Sequence, residues 1–381
     1  MVKIKPKKKI LFLLNQLYGN KIMSGGESRA QYLLNYYSKN PSYDIQILAP
    51  KNNQDNFPGL KLTDSSSAIL EKLDLNPRLH ILILFIFRTF KSLFVIPNLD
   101  IIYSTGDFFC NSIPAYFYKL KYPKTKIISV IHHLNPHPKN RPANPYLSSF
   151  FSHYTQKLSL VLIKKSSDLI YVMNQEVKDR LKKRGFNNIY IIGNGLDLKT
   201  INSLKKPSRL KKQIVFFGRL NHSKGALDLP YIIKNTLKVF PKYHFHLIGH
   251  LDPNLKFPNL KNTTIHGFLP NKTDAYKFLK ESQVYIIPSY EEGWSIATFE
   301  AAACSIPILC YQLPVFKEIF KDTIHYAKYG NKIDFTKKLI NLIRNLKETQ
   351  TIIMKNNAYK ISQQYSWKNI YQKEDKLIQQ L

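Results

Sequence analysis

Short apolar runs alternate with amphipathic stretches along the first half of the chain. Continuous apolar runs bounded by loop residues are typical of parallel strands covered on both faces of a sheet. The strands predicted in this way are Ile10–Leu14, Tyr43–Leu48, Leu99–Tyr103, Lys126–Val130, Asp168–Val172 and Asn188–Ile192. Helical periodicity between them predicts helices over Gly26–Ser38, Ser112–Leu120, Tyr146–Lys165 and Gln175–Arg184. The repetition of strand and helix predicts a doubly wound α/β domain.

The same pattern restarts in the second half of the chain. The polar, basic stretch Leu198–Lys212 is interpreted as a linker between two domains, and a last helix is predicted around Trp367–Leu381. The strands predicted after the linker are Gln213–Phe217, Tyr243–Ile248, Thr263–His266, Gln283–Ile287, Pro307–Leu309 and Ile324–Tyr326. A second α/β domain therefore follows the first.

One segment, Leu79–Ile96, is strongly apolar but contains His80, Arg88 and Lys91. A membrane-spanning helix needs about 20 predominantly apolar residues, so a true span is not expected. Two interpretations stay open. One is a buried helix that leads to the next strand, and the other is a helix at a membrane interface with Arg88 and Lys91 snorkelling.

Length and charge narrow the range of functions. The chain has 381 residues, enough for two domains, and 57 basic against 25 acidic residues give a net charge of 57 − 25 = +32. A 44% hydrophobic composition excludes a disordered chain. The charge is spread over both halves, so we expect a polyanionic partner: a nucleic acid, anionic lipid or a nucleotide diphosphate. Three cysteines and no visible signal peptide predict a reducing compartment, the cytoplasm.

The most informative segment surrounds Glu292 and Glu300. A strand is predicted to end near Ile287, a loop to run to Gly293, and an alanine-rich helix to begin at Ile296. Free amides at a helix N-terminus bind phosphate, and carboxylates at the carboxyl ends of parallel strands can accept hydrogen bonds from sugar hydroxyls. The alternative is that both glutamates are solvated charges, but an apolar, alanine-rich helix is a poor place for an idle carboxylate.

A second group of residues follows the first strand of the second domain. Gly218, Arg219, Lys224 and Gly225 form a glycine-bounded loop with two cations five positions apart. Arginine offers a planar fork of donors and lysine a point charge, which together suit a diphosphate. In so basic a chain, an ordinary basic loop is the alternative.

The first domain carries two weaker signals. Gly25 and Gly26 open a predicted helix after the first strand, where a backbone amide can approach a phosphate or sugar, although a tight turn explains them equally well. His132 directly follows a predicted buried strand, and an imidazole there can bond a sugar hydroxyl or help to stabilise charge. A purely structural histidine is the alternative.

Two segments resemble the signature blocks of family-four retaining glycosyltransferases with the GT-B fold. The first is Phe217–Gly225, and the second is Glu292–Pro307, which resembles their Glu-x7-Glu motif. The resemblance extends to Gly25-Gly26-Glu27 and His132, and so spans nearly the whole chain in order. It implies two Rossmann-like domains facing across a cleft, with a C-terminal helix that crosses back to the first domain.

The domains and residue roles implied by the resemblance can be stated by position. Residues 1–197, with 362–381 packing back on them, would bind the acceptor, and residues 198–361 would bind the nucleotide-sugar donor. Arg219 and Lys224 would bind the diphosphate, Glu300 the ribose and Glu292 the donor sugar, with His132 at the reaction centre. The remaining donor-binding residues would be Gly25, Gly26, Gly218, Gly293, Trp294, Ser295 and Ile296, the last four through backbone amides.

Two departures from the family pattern and one missing motif qualify this prediction. Ser295 and Ser305 stand where the family often has glycine, and Ser295 would alter the contact between the loop and the donor. The chain contains no Asp-x-Asp motif, so we expect no divalent metal and no cofactor beyond the nucleotide sugar. Fixed cations and a helix N-terminus would stabilise the leaving diphosphate instead.

The predicted activity is transfer of a hexosyl-type sugar from a nucleotide-diphosphate sugar to a glycan or lipid-linked acceptor, with retention of anomeric configuration. An anionic membrane surface is a further expected partner, which would make the protein peripheral at the cytoplasmic membrane face. Two alternatives stay open: a GT-B enzyme of other activity, such as an epimerase, and a nucleic-acid-binding protein. The second is disfavoured because the charge is diffuse and would leave Glu292 and Glu300 without a role.

Overall fold

The computed structural model of the chain describes residues 6–19, 25–95, 99–141 and 146–381. These residues form two compact units. The first contains the described residues up to Asn194 together with Ile370–Leu381, and the second contains Gly195–Asn369. Parts of three predictions lie outside the described residues: residues 1–5 of the lysine-rich start, residues 20–24 of the loop before Gly25, and Ile96.

The first unit is built on a parallel sheet with strand order β3-β2-β1-β4-β5-β6-β7. Its strands are β1 Lys8–Leu13, β2 Tyr43–Ala49, β3 Lys61–Asp64, β4 Ile101–Ser104, β5 Lys126–Ile131, β6 Leu169–Val172 and β7 Ile189–Ile191. Its helices are α1 Gly25–Tyr37, α2 Pro77–Val95, α3 Phe109–Lys121, α4 Tyr146–Ser166 and α5 Gln175–Lys182. Central strands such as β4 are buried along their whole length, which is why they are continuously apolar in sequence.

The second unit is a parallel sheet with strand order β10-β9-β8-β11-β12-β13. Its strands are β8 Gln213–Phe217, β9 His244–Ile248, β10 Thr263–Gly267, β11 Val284–Ile287, β12 Ile308–Tyr311 and β13 His325–Ala327. Its helices are α6 Leu198–Ser203, α7 Leu229–Val239, α8 Lys272–Glu281, α9 Ile296–Ala303, α10 Pro314–Phe320, α11 Lys332–Arg344 and α12 Thr349–Ser362. Two Rossmann-like α/β domains are thus confirmed.

The last helix, α13 (Trp367–Gln379), links the two units in sequence. It begins in the second unit, and from Ile370 onward its residues belong to the first. Glu374 fixes this part of the helix, because its buried carboxylate pairs with Arg29 of α1 and accepts hydrogen bonds from Tyr37 and Tyr103 at 3.0 Å each. The predicted return of the C-terminal helix to the first domain is confirmed.

One local prediction is wrong, and one strand was missed. The stretch interpreted as a linker begins with helix α6, because Asp197 caps it by accepting hydrogen bonds from the amide and hydroxyl of Thr200 at 3.1 and 2.7 Å. Although the stretch is mostly polar, it contains one fully buried apolar residue, Ile201. Strand β3, Lys61–Asp64, was not predicted because it is a short edge strand with only partly covered residues.

Helix α2 confirms neither interpretation of its segment completely. Its Arg88 side chain is fully buried and donates to the carbonyl oxygens of Asn15 and Leu17 and to the Glu71 carboxylate at 2.5–2.9 Å, so it does not snorkel. Yet Phe90 and Phe94 of the same helix are exposed. Among the described residues, no helix is both long and apolar enough to cross a membrane.

Candidate active site

The loop that follows strand β8 is organised by Asn221 and held against the segment that follows β11. The Asn221 Oδ1 accepts hydrogen bonds from the Lys224 amide at 3.1 Å and from the Ser223 hydroxyl at 3.0 Å. Gly225 ends the turn in a left-handed conformation with φ +73°, and a Cβ there would lie 1.9 Å from the Pro288 carbonyl oxygen. Only glycine fits, so the backbone of the cation-bearing loop lies directly against the end of β11.

Lys224 and Glu292 form an ion pair at this junction. The Lys224 Nζ lies 2.6 Å from Glu292 Oε2, and the Ser289 hydroxyl donates to Oε1 at 2.8 Å. The Glu292 side chain is only 3% exposed, and the Lys224 side chain 18%. Because both carboxylate oxygens are engaged, the ammonium group is held in a defined position rather than on a freely rotating arm. Two residues that the sequence marked separately are therefore in contact.

Arg219 differs from Lys224 in its surroundings. Its side chain is exposed, and within the described part of the chain it forms no ion pair. The preceding residue, Gly218, lies in a tight backbone contact, since a Cβ at Gly249 would lie 1.9 Å from the Gly218 carbonyl oxygen. The start of the loop is thereby fixed by backbone packing, while the guanidinium group is open to solvent and to an anionic ligand.

Glu300 is buried in the middle of helix α9. Its side chain is 3% exposed, so it is not a solvated surface charge. Tyr276 donates its hydroxyl to Oε1 at 2.8 Å, and the Lys272 ammonium lies 3.4 Å from the same oxygen. Both partners come from helix α8, where spacing by four residues places them on one face. The carboxylate is thus held by a hydroxyl and a cation on a neighbouring helix.

The N-terminus of α9 requires a left-handed backbone. Ser295 caps the helix at φ +64°, and its hydroxyl pairs with the Thr298 hydroxyl at 2.8 Å. Ser305, after the same helix, has φ +53°. A non-glycine residue in this region costs of order 1 kcal/mol, which explains why glycine is the usual residue at both places in the similar family.

Trp294 contributes its side chain to the core. Its indole stacks on Phe299 with 4.4 Å between ring centroids and planes 9° apart, and the Tyr365 ring packs edge-on against it. The neighbouring Gly293 and Ile296 are half-buried. Any contact of residue 294 with a ligand therefore has to be made through its backbone, as the sequence predicted for this segment.

In the first unit, His132 and Gly26 lie against each other. A Cβ at Gly26 would come within 3.0 Å of the His132 Nε2, so the ring occupies the space that a side chain at 26 would fill. The same Nε2 lies 2.8 Å from the Thr105 carbonyl oxygen. Because a carbonyl only accepts, Nε2 carries the proton and Nδ1 has the lone pair. Gly25, one residue earlier, is exposed at the first turn of α1.

Asp107 is a neighbouring carboxyl group that the sequence did not single out. Burial raises its pKa to about 6, and hydrogen bonds from Gln156 and the His132 backbone amide oppose part of that rise. The Gln156 amide donates to Oδ2 at 2.5 Å. A sequence signal existed: Asp107 follows β4 just as His132 follows the adjacent β5, and the carboxyl ends of neighbouring parallel strands share one edge.

We expect the His132 imidazole to stay neutral from pH 8 to about pH 5. Burial is the main cause that lowers its pKa to about 4; the hydrogen bond with the Thr105 carbonyl opposes part of this shift, and the nearby Arg29 adds a smaller lowering contribution. Since an unfolded histidine titrates near 6.5, the unfolded state takes up a proton first as pH falls, and His132 then reduces stability by up to ~1.4 kcal/mol per pH unit. An NMR titration, with the signal assigned by His132→Asn, measures this directly. A midpoint near 6.5 would show that the ring is solvated.

Comparison with known proteins shows what these residues are similar to. Residues 179–360 match the family model described as glycosyl transferases group 1, a range that contains Arg219, Lys224, Glu292 and Glu300. A similar protein is the N,N'-diacetylbacillosaminyl-diphospho-undecaprenol alpha-1,3-N-acetylgalactosaminyltransferase of Campylobacter jejuni, 27% identical over 52% of this chain and 51% of its own length. The chain spans about half the length of the curated relatives it matches.

Two solved structures resemble the chain over nearly its full length. Sucrose-phosphate synthase from Thermosynechococcus elongatus has a TM-score of 0.75 at 14% identity and covers 98% of this chain and 99% of its own. Anabaena HepE, solved in complex with UDP-glucose, has a TM-score of 0.69 at 13% identity and covers 98% of this chain and 100% of its own. These likenesses confirm the GT-B fold that the sequence predicted.

Proposed function

We propose that this chain, whose residues 179–360 match the family model described as glycosyl transferases group 1, transfers a sugar from a nucleoside-diphosphate sugar to an acceptor. The observation that carries the proposal is the Lys224–Glu292 ion pair, which presents a cation and a buried carboxylate at the end of β11. In an open α/β sheet, ligands bind at the carboxyl ends of the strands.

The cations of the loop after β8 are assigned to the diphosphate. Breaking the bond between sugar and diphosphate places new negative charge on the leaving group, which positioned donors stabilise without reorganisation. Lys224, held by Glu292, supplies a fixed ammonium group, and the exposed Arg219 supplies a planar fork for two phosphate oxygens. The amides at the N-terminus of α9 add to this field. No divalent metal is needed in this proposal.

The two glutamates are assigned to the hydroxyl groups of the donor. Glu300 would accept hydrogen bonds from the ribose, and its contacts with Tyr276 and Lys272 orient the carboxylate for that purpose. Glu292 would accept a hydrogen bond from the donor sugar, and its negative charge would also favour the positive charge that develops on the sugar in the transition state. Its two contacts, with Lys224 and Ser289, keep it in place.

The reaction is further proposed to retain the anomeric configuration, on the strength of the resemblance of Glu292–Glu300 to the Glu-x7-Glu motif of retaining enzymes. The first domain would bind the acceptor, a glycan or lipid-linked sugar. His132 would take part as a neutral imidazole whose Nδ1 accepts a hydrogen bond from a sugar hydroxyl, because its Nε2–H already donates a hydrogen bond to the Thr105 carbonyl oxygen. Proton NMR of the first-formed product would report its anomeric configuration.

Replacing Glu300 by glutamine should weaken nucleoside-diphosphate binding by roughly tenfold. Glutamine keeps the shape and an acceptor oxygen but removes the charge that strengthens a hydrogen bond to a ribose hydroxyl, and tenfold corresponds to about 1.4 kcal/mol. Calorimetric titration with UDP comes first, since Anabaena HepE was solved with UDP-glucose; GDP and ADP follow.

The matched control for this titration is Glu281→Gln in the same domain, because Glu281 pairs with Lys211 at the surface. This variant should bind the nucleotide like the unaltered protein. Unchanged affinity in Glu300→Gln, with the fold intact by circular dichroism, would remove Glu300 from the donor site.

A further inference from the structure

Helix α4 exposes a stripe of large apolar side chains, in addition to Leu160 and Ile163, which it buries in the core. Its exposed positions recur every three or four residues and hold large apolar side chains: Leu147, Phe150, Phe151, Tyr154, Leu158 and Val161. Its buried positions include Ser149, Gln156, Ser159 and Ser166. A helix normally turns its apolar stripe toward the core, so this outward stripe indicates a partner outside the domain.

Helix α2 likewise exposes large apolar side chains, although it also buries Leu84 and Phe85. Its buried positions include the polar residues His80, Arg88, Thr89 and Ser92, whereas its exposed positions include Leu79, Ile86, Phe90, Leu93 and Phe94. The most exposed of these is Phe94, at 86%. The buried Arg88 satisfies backbone carbonyls of the loop after β1, which explains the polar inner face. It does not explain the apolar outer one.

Helix α3 joins these two stripes into one surface. The connections through α2, α3 and α4 run in the same direction across the sheet, so right-handed crossovers place all three on one face. Helix α3 packs against both neighbours, and it exposes Phe117 and Leu120. We call the exposed apolar side chains of these three helices the α2–α4 face.

The charged residues of the three helices that form this face are all basic. The sequences of α2, α3 and α4 contain lysines and arginines but no aspartate or glutamate. Lys121, Lys157, Lys164 and Lys165 are exposed on α3 and α4. Apolar and aromatic side chains flanked by lysines match the boundary between acyl chains and anionic headgroups, because the rings enter the boundary while the ammonium groups reach the phosphates.

We propose that the α2–α4 face docks the first domain on an anionic lipid bilayer. The apolar side chains supply the insertion and the lysines supply attraction to anionic headgroups, without any helix crossing the bilayer. A protein partner that carried acidic groups would also satisfy the charges, but an acyl-chain layer accommodates the whole apolar surface without requiring shape complementarity. This inference concerns where the protein sits, and it does not depend on the proposed sugar transfer.

The test compares binding of the full chain to vesicles of phosphatidylcholine alone and to vesicles that also contain phosphatidylglycerol. The face variant replaces Phe90, Phe94, Leu147 and Phe151 by serine; the matched control replaces Val239, Ile333, Ile352 and Ile353, exposed in the second unit, by serine. We expect the face variant to bind phosphatidylglycerol vesicles at least roughly tenfold more weakly, and the control to bind like the unaltered chain. Binding should also fall as salt rises, since exposed charges are screened over about 8–10 Å.

Three outcomes would overturn the proposal. They are equal vesicle binding by the face variant and the unaltered chain, no binding of the unaltered chain to either vesicle, and a dimer in light scattering that the same four substitutions dissociate. The last would identify the face as an interface between copies. Because the substitutions lie outside the donor site, nucleoside-diphosphate binding should be unchanged in the face variant. The lipid-binding proposal and the proposed function are therefore tested independently.

Discussion

Lys224→Ala should slow the release of nucleoside diphosphate from the donor by roughly 100- to 1000-fold. The ammonium group, fixed 2.6 Å from Glu292, is proposed to meet negative charge that grows only as the diphosphate leaves. An interaction that strengthens in the transition state affects the rate more than ground-state binding. Single-turnover kinetics, beside an equilibrium titration of the donor, separates the two quantities.

The control for this variant is Lys317→Ala, which removes a surface lysine that pairs with the exposed Asp322. It should leave the rate unchanged. A salt-dependent titration with DNA tests the nucleic-acid alternative. If DNA binding depended on the diffuse positive charge, Lys224→Ala and Lys317→Ala would each lower the DNA affinity only slightly and to the same extent. Unaltered kinetics in Lys224→Ala would show that Lys224 has no role in diphosphate release and that the loop Gly218–Gly225 only connects a strand to a helix.

Glu374→Ala should destabilise the first domain by about 3–5 kcal/mol. Glu374 is fully buried and pairs with Arg29, which is itself 2% exposed. Removing the carboxylate leaves a buried guanidinium without its counter-charge, a change that costs far more than an ordinary contact. The hydroxyls of Tyr37 and Tyr103 lose their acceptor as well. Urea unfolding, followed by far-ultraviolet circular dichroism, measures the difference.

Two further variants provide comparisons for the stability of Glu374→Ala. Glu374→Gln keeps an acceptor for both tyrosines and should fall between the alanine variant and the unaltered protein. Arg180→Ala removes an exposed pair with Glu176 on helix α5 and should cost only about 0.3–0.5 kcal/mol. If Glu374→Ala unfolds at the same urea concentration as Arg180→Ala, the C-terminal helix is not anchored by this pair.

The architecture was predictable because buried parallel strands appear in the sequence as continuous apolar runs. A strand covered on both faces has to be apolar throughout, and β4, β6, β11 and β12 are buried at every position. The elements that were not predicted are not buried on both faces. Strand β3 lies at a sheet edge, and α6 is a short helix with a single fully buried apolar anchor, Ile201.

The candidate site was predictable as separate motifs but not as contacts. Spacing pointed to Lys224 and Glu292, yet only the packing of Gly225 against Pro288 brings their side chains together. The partners of Glu300 were missed because Tyr276 and Lys272 lie on another helix, and an ordinary amphipathic pattern does not show what its inner face touches.

Helices α2 and α4 show a different limit of sequence interpretation. Periodicity located both, but it could not tell which of two faces points inward. The usual expectation that apolar positions are buried fails for Phe94 and Leu147, although Leu84 and Leu160 of the same two helices are buried as expected. Arg88 can lie in the core because it donates hydrogen bonds to the backbone carbonyls of Asn15 and Leu17.

The most direct test of the central claim is a thermal-unfolding measurement of the unaltered protein with UDP-, GDP- and ADP-sugars. A ligand that binds only the folded state stabilises it by about 2.7 kcal/mol at a concentration one hundred times its Kd. We predict that one nucleotide class raises the unfolding temperature clearly and that Glu300→Gln needs roughly tenfold more ligand for the same shift. No shift with any nucleotide sugar would contradict the assignment of the second domain as a donor-binding domain.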